Sequence, residues 1–364
     1  MSAALAESNA IETLIKAQAY GLGFDLVGIT SLGAVETASA FDAWIARGYA
    51  GDMEYLPRGA DKRRDTRLPV AGATHAIVVG LHYGGREPTG PIARYARGGD
   101  YHDVMIGKLK DLHRWLESEI GQPIPGKPYV DTGPVLERDL AHRAGLGWFG
   151  KNTNLINPKI GSFFFIGALF VDIDLKVDPP FDADRCGTCT RCLDACPTNA
   201  FVEPHVLDAT RCISYLTIEN KGAIPIELRP KVGELVYGCD ICQEVCPWNV
   251  SFSRELSEDS FRAREPIADR APRDLAIELL TMNDERYQEC FKGSPMKRAR
   301  RRGLARNAAV VMGNVGNESD TSLLDACRAD ADSLVREHID WALQQIATRS
   351  STAEPRVDHS DSVS

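Results

Sequence analysis

The chain has 364 residues, 43% hydrophobic and 26% charged, the balance of a globular protein with room for two or three cores. Its net charge of −9 excludes a generally nucleic-acid-binding surface but leaves room for a local basic patch. No run approaches the ~18 apolar residues of a membrane span, and Met1 to Ala19 lacks an apolar stretch behind positive charge, so a cytoplasmic protein with no membrane partner is expected.

In chain order, the first 178 residues alternate helix and strand. Ile11, Leu14, Ile15 and Ala19 form a helical stripe within 5–20, stopped by Gly21 and Gly23. A strand is expected over 24–30, a helix over 35–47 and a buried strand over 76–82. Next come a helix over 103–120, a strand over 127–131 and a helix over 135–143 begun by Pro134 at its first position. Residues 162–172, with three consecutive phenylalanines, are the most strand-like stretch. Residues 1–178 therefore read as an α/β domain.

Asp178-Pro-Pro-Phe181 marks a boundary, and residues 179–255 carry eight of the ten cysteines. Cys186, Cys189, Cys192 and Cys196-Pro197 follow C-x2-C-x2-C-x3-C-P, the ferredoxin spacing in which the fourth cysteine ligates the other cluster. Cys239, Cys242 and Cys246-Pro247 repeat the end of that run, with Cys212 standing in for its first cysteine. The crossing rule assigns one 4Fe-4S cluster to Cys186, Cys189, Cys192 and Cys246, and another to Cys212, Cys239, Cys242 and Cys196. Structural zinc would need neither the third x2 step nor the prolines, and disulfides would need an oxidising compartment. Cys290 and Cys327 stand apart and read as buried thiols.

Residues 256–349 turn helical. Segments 304–313, 322–329 and 333–347 are helix-sized and carry a HEAT-like pattern. Residues 350–364 lack apolar content and are expected to be disordered.

Several residues invite a functional reading. Gly145 to Asn152 nearly matches a phosphate-binding loop, but Asn152 stands where Ser or Thr must reach magnesium and a helix precedes it instead of a strand. It reads as a glycine-rich turn whose backbone could approach a large flat cofactor. Alone, His102 reads as a surface or capping residue. Asp131 closes a strand, where it is either a catalytic carboxylate or a helix cap, and Pro134 would move the cap to Gly133. Lys297, Arg298, Arg300, Arg301, Arg302 and Arg306 form a basic run, either a solvated helix face or a phosphate contact.

The blocks Tyr95-Ala-Arg-Gly-Gly-Asp-Tyr-His102, Val130-Asp-Thr-Gly-Pro-Val-Leu-Glu-Arg138 and Gly147-Trp-Phe-Gly-Lys-Asn-Thr153 complete a pattern with the cysteine block, Cys246-Pro-Trp-Asn249 and the helical tail. Over nearly the whole chain this pattern resembles the epoxyqueuosine reductase family. The resemblance implies an α/β N-terminal cobalamin-binding domain, a ferredoxin-like domain with two 4Fe-4S clusters and a HEAT-like α-helical C-terminal domain. It also implies reduction of an epoxide to an alkene on the wobble base of a tRNA anticodon, the last step of queuosine synthesis. Asp131 becomes the candidate general acid, with a pKa raised by burial. Tyr101, His102, Gly150, Lys151, Asn152 and Asn154 become candidate cobalamin neighbours, and Lys297, Arg298, Arg300, Arg301 and Arg302 candidate tRNA contacts. A flavodoxin or ferredoxin would supply electrons to a monomer. The rival readings are a corrinoid reductase of a small molecule, similar to reductive dehalogenases, and a non-enzymatic iron–sulfur electron carrier.

Overall fold

The computed structural model describes residues 10–85, 90–252 and 254–352. Its first region is built on β1 (Leu26–Ser31), β2 (His75–His82), β3 (Gly126–Tyr129), a small hairpin of β4 (Trp148–Phe149) and β5 (Leu155–Ile156), and β6 (Phe164–Val171). The four longer strands form one sheet in the order β1-β2-β6-β3, and every neighbouring pair is antiparallel.

Side chains of successive strand residues point to opposite faces, and both faces are buried. Ile77, Val79, Leu81 and Leu169 face Ile15 and Ala19 of helix α1 (Ile11–Gly21) and Met105, Leu109, Leu112 and Leu116 of helix α2 (Tyr101–Ile120). Ala76, Val78, Ala168 and Phe170 face Leu140 and Ala141 of helix α3 (Glu137–Arg143). Each fully buried aliphatic side chain contributes roughly 1.5–3 kcal/mol, so this double burial accounts for the near-continuous apolar runs of β2 and β6.

Two expectations change here. Helices and strands do alternate over the described residues from 10 to 171, but the antiparallel pairing removes the parallel-sheet rule that drew attention to strand ends. β3 also stops at Tyr129, and α3 starts at Glu137 behind Leu136. Pro134 is therefore not a first helical residue, and 130–136 is a loop in which Asp131 takes the left-handed φ of 56°.

Behind the cysteine block, helix α4 (Pro272–Thr281), helix α5 (Asp284–Phe291), helix α6 (Arg300–Val315), helix α7 (Thr321–Asp330) and helix α8 (Ser333–Thr352) form the C-terminal part. One apolar cluster runs from Ile213, Leu216 and Tyr237 through Leu304 and Val310 to Ile339 and Trp341, so the cysteine block and the helices share a core. Arg306 and Asn307 of α6 stitch the two together. The Arg306 guanidinium donates to the carbonyls of Leu216, Asn220 and Gly222, and the Asn307 amide donates to those of Thr217 and Val236. Helix α8 extends to Thr352, three residues into the segment expected to be disordered; residues 353–364 lie outside the described residues.

Candidate active site

The eight cysteines of the block fall into two neighbourhoods. Burial raises the Cys192 thiol to about 11, and the next causes are Cys246, then Cys186. Burial raises Cys239 to about 12, with Cys212 and Cys196 among its neighbours, and Cys242 in turn feels Cys239 and Cys212. Short helices Arg191–Asp194 and Ile241–Glu244 pack together, which lets each run send its last cysteine across to the other. All are free thiols, and Cys186, Cys189, Cys192 and Cys246 line a cavity of about 360 Å3. Among the described residues no three His, Cys, Asp or Glu side chains converge tightly enough for a single metal ion. Ligands of a four-iron cube stand further apart, because each binds a different corner.

The block is fastened to the sheet by its Trp-Asn sequence. Asn249 accepts from the Ser162 amide at 2.6 Å and donates to Ser162 Oγ at 2.9 Å, while Ser162 Oγ donates to Gln243 at 2.9 Å. A side chain at Gly161 would collide with Asn249 Oδ1, so this contact requires glycine.

The turn between β4 and β5 makes a second fastening. Lys151 Nζ donates to the carbonyls of Gly187 and Cys189 at 2.6 and 3.0 Å, and Asn152 Nδ2 donates to that of Cys242 at 3.3 Å. His205 reaches the Gly150 carbonyl through its ring at 3.0 Å. Gly150, Lys151 and Asn152, expected beside a corrin, tie the 150–154 turn to the cysteine block. The physical reason is the tight turn closed by Gly150 N to Asn154 O, with Thr153 at a φ of 66°, which aims these residues away from the sheet. Asn154 faces the other way.

There it helps line a cavity of about 220 Å3 with Tyr83, Tyr101, Asp131, Glu137, Arg138, Ser162 and Phe165. Tyr101 lies flat on Phe165, with centroids 4.1 Å apart and planes 5° apart, and its hydroxyl donates to Asp131 Oδ2 at 2.6 Å. His102 Nε2 stands 3.8 Å from the same oxygen, and Asp100 holds His102 Nδ1 at 2.6 Å. The Asp131 amide donates to Glu137 Oε1 at 2.5 Å.

Charge is distributed over this group in an order the sequence did not reveal. Burial raises the Asp131 carboxyl, but hydrogen bonds from His102 and Tyr101 outweigh it and leave it below its ordinary value. Its side chain, 66% exposed, reaches the open mouth of the cavity although dense protein surrounds its base. Burial lowers His102, yet hydrogen bonds to Asp100 and Asp131 prevail and hold it at about 9. Burial, reinforced by the Asp131 charge, pushes Glu137 up to about 8. At neutral pH Asp131 is ionised, and the protons sit on His102 and Glu137. The expected raised pKa of Asp131 is thus reversed, because burial is overcome by two donors.

Residues 63–132 match the family profile described as epoxyqueuosine reductase QueG, DUF1730, and residues 185–249 match the 4Fe-4S double cluster binding domain. The epoxyqueuosine reductase of Xanthomonas campestris is 40% identical over 361 residues, covering 95% of this chain and 99% of that protein. That of Pseudomonas aeruginosa is 43% identical, covering 89% and 91%. The chain belongs to the epoxyqueuosine reductase family. Among solved structures, the Streptococcus thermophilus enzyme aligns with a TM-score of 0.82 at 27% identity, over 93% of this chain and 90% of that one. An epoxyqueuosine reductase carrying an epoxyqueuosine-modified tRNA-Tyr stem loop aligns at 0.77 and 27% identity, over 93% and 99%. The Bacillus subtilis enzyme, with its catalytic Asp loop swung out of the active site, aligns at 0.81 and 28% identity, over 96% and 95%.

The cobalamin that the sequence resemblance implies would need flat apolar walls and a polar edge. A second space of about 220 Å3 shares Tyr83 as a wall, so two openings flank that ring. Tyr83 lies 4.3 Å from Phe165, giving broad aromatic walls suited to a planar macrocycle. Asn154, Ser162 and Arg138 supply polar groups at the edge, suited to its amide arms. These residues fit such a group.

The basic run separates into different roles. Arg298 donates to both oxygens of Glu219 at 2.8 Å, Arg301 to Asp284 at 2.6 Å and Arg302 to Asp332 at 3.0 Å. Lys297, Arg298, Arg300 and Arg302 remain exposed, and exposed pairs are weak enough to exchange for phosphate. Arg306 does not belong with them: only 1% exposed, it serves the core. The sequence assigned no role to Glu137, which sits inside the 130–138 block, or to Tyr83, which lies in no block; both acquire meaning only through folding.

Proposed function

We propose that this chain reduces the epoxide of epoxyqueuosine at the wobble position of a tRNA anticodon, giving queuosine and water. The reaction consumes two electrons and two protons; the C–O bonds to the epoxide oxygen break, the oxygen leaves as water and a carbon–carbon double bond forms. What carries this reading is one arrangement: the Asp131 cavity and the eight-thiol block are joined through the 150–154 turn, so a proton-handling site and an electron-handling site meet in one chain.

Two 4Fe-4S clusters, held by the two sets of four cysteines, would supply low-potential single-electron transfer. Cobalamin, held between the Tyr83, Tyr101 and Phe165 rings and the Asn154, Ser162 and Arg138 edge, would supply a strongly reducing centre able to gather two electrons. The Cys242 set would pass electrons to the cavity, since Ser162, which lines the cavity, bonds to Gln243 beside Cys242. The set containing Cys186 would then receive electrons from a small carrier such as a flavodoxin or ferredoxin.

The chain's own residues manage the protons. Asp131 faces the cavity as the last carrier to the epoxide oxygen, and His102 and Glu137 hold the protons that replenish it. Tyr101 fixes the orientation of the carboxylate, and Glu137 holds the amide of the loop that carries it. The exposed part of the 297–302 run contacts the phosphates of the anticodon stem, while α6 to α8 act as a HEAT-like support. Protein loaded with both clusters and corrinoid, given a low-potential reductant, should convert epoxyqueuosine-containing tRNA to queuosine tRNA. Fully loaded protein that leaves the epoxide intact contradicts the proposal.

A further inference from the structure

A groove of about 460 Å3 is lined by the residues that follow Asp131 in the catalytic loop, and nothing in the chemistry above uses it. Its walls include Tyr55, Arg58, Lys62 and Asp61, the last paired with Arg64, and Thr132, Gly133 and Pro134 of the loop itself. Four features make it a built surface.

Tyr55 is a large aromatic side chain left 45% exposed, and the Arg298 guanidinium stands 5.4 Å from its ring centroid. Arg63, only 7% exposed, donates to the carbonyls of Tyr55 and Leu56 at 3.3 and 3.4 Å and so fixes the turn that presents the ring. Gly59 then lets the groove close on the loop, since a side chain added there would stand 3.3 Å from Pro134 Cβ and run into Arg63. Arg58 and Lys62 are exposed at the same wall, with Arg58 engaged only in an exposed pair with Glu54.

An exposed ring with cations around it is how proteins hold an unstacked base and its phosphate. The groove's volume is in the range of about 300–1,000 Å3 that small-ligand sites occupy. Continuity with Arg298 places it between the catalytic loop and the basic run, on the path an anticodon loop must take if its modified base enters the cavity.

We propose that this groove binds the nucleotide adjacent to the modified base, its base stacked on Tyr55 and its phosphate held by Arg58 and Lys62. The inference rests on the RNA substrate proposed above and adds a second point of anchorage for it. Holding the neighbour splays the modified nucleotide away from its stack and towards Asp131. Thr132 to Pro134 form the partition between the two nucleotides.

Binding of an anticodon stem loop with 2-aminopurine beside the wobble base, followed by fluorescence over a salt series, tests this. Tyr55→Ala should weaken binding roughly 5- to 100-fold and abolish the stacking-dependent change in fluorescence. Tyr55→Phe, which keeps the ring, should retain both. Arg58→Ala combined with Lys62→Ala should reduce the slope of log K against log salt by about 0.7, the value for one phosphate contact on a single strand. Tyr55→Ala protein that binds as tightly as wild type overturns the groove while leaving the proposed reaction standing. Wild-type protein that does not bind the stem loop overturns the RNA reading and the groove with it.

Discussion

The cysteine block and the Asp131 cavity are built by opposite means. The block's ligands lie close together in sequence, so the chemistry of a cluster is written as spacing, and short helices only have to fold the runs across one another. The cavity draws Tyr83, Tyr101, Asp131, Asn154 and Phe165 from five separate segments of an antiparallel sheet and its connections. No local pattern announces such a site. The two also differ in where charge resides: thiols clustered for a metal-bearing group on one side, and protons stored beside an ionised carboxylate on the other.

Variants that break one region and spare the other sharpen this contrast. The largest effect should come from Cys196→Ser or Cys246→Ser, since each removes a ligand that one run lends to the other. Iron content should fall by half or more, with loss of the block's cooperative unfolding transition; full iron occupancy in either variant would refute the crossed wiring. Next in size is Arg306→Leu, which leaves the buried Leu216 carbonyl and the part-buried contacts to Asn220 and Gly222 without their donor. Denaturant unfolding should register a loss of roughly 3–5 kcal/mol. A loss near zero would return Arg306 to the solvated basic run.

A smaller effect is expected at the proton store. His102 and Glu137 are held up at about 9 and about 8, so both are protonated at pH 7 and lose their protons as pH rises through those values. The rate constant for turnover should accordingly fall on an alkaline limb between about 8 and 9. Glu137→Gln, which keeps an acceptor for the Asp131 amide but cannot give up a proton, should lower turnover about tenfold and shift that limb. An unchanged pH profile would make Glu137 a structural support only. Smallest is the triple change Arg300→Ala, Arg301→Ala and Arg302→Ala, which should weaken tRNA binding and flatten its salt dependence. Equal affinity at low and high salt would remove the run from the interface.

How much of this was legible in the sequence follows from the same contrast. The strands β2 and β6 could be read because burial on both faces makes them continuously apolar, yet apolar content says nothing about the direction in which strands pair. The bonds of Lys151 and Asn152 to the cysteine loops were not legible, because a glycine-rich turn fixes a close approach without fixing to what. Arg306 looked like its neighbours because charge is visible in sequence and burial is not. Asp131 was reached by resemblance, but its ionised state depends on Tyr101 and His102, some 30 positions earlier.

The central claim is that electrons gathered by the block are spent only when Asp131 passes a proton. It is tested most directly by mixing pre-reduced holoprotein with epoxyqueuosine tRNA and following cluster oxidation together with the mass of the modified nucleoside. Wild type should oxidise its clusters as the nucleoside loses one oxygen. Asp131→Asn, equally loaded with iron and corrinoid, should stay reduced and leave the epoxide intact. Loss of that oxygen at the wild-type rate in Asp131→Asn would contradict the account.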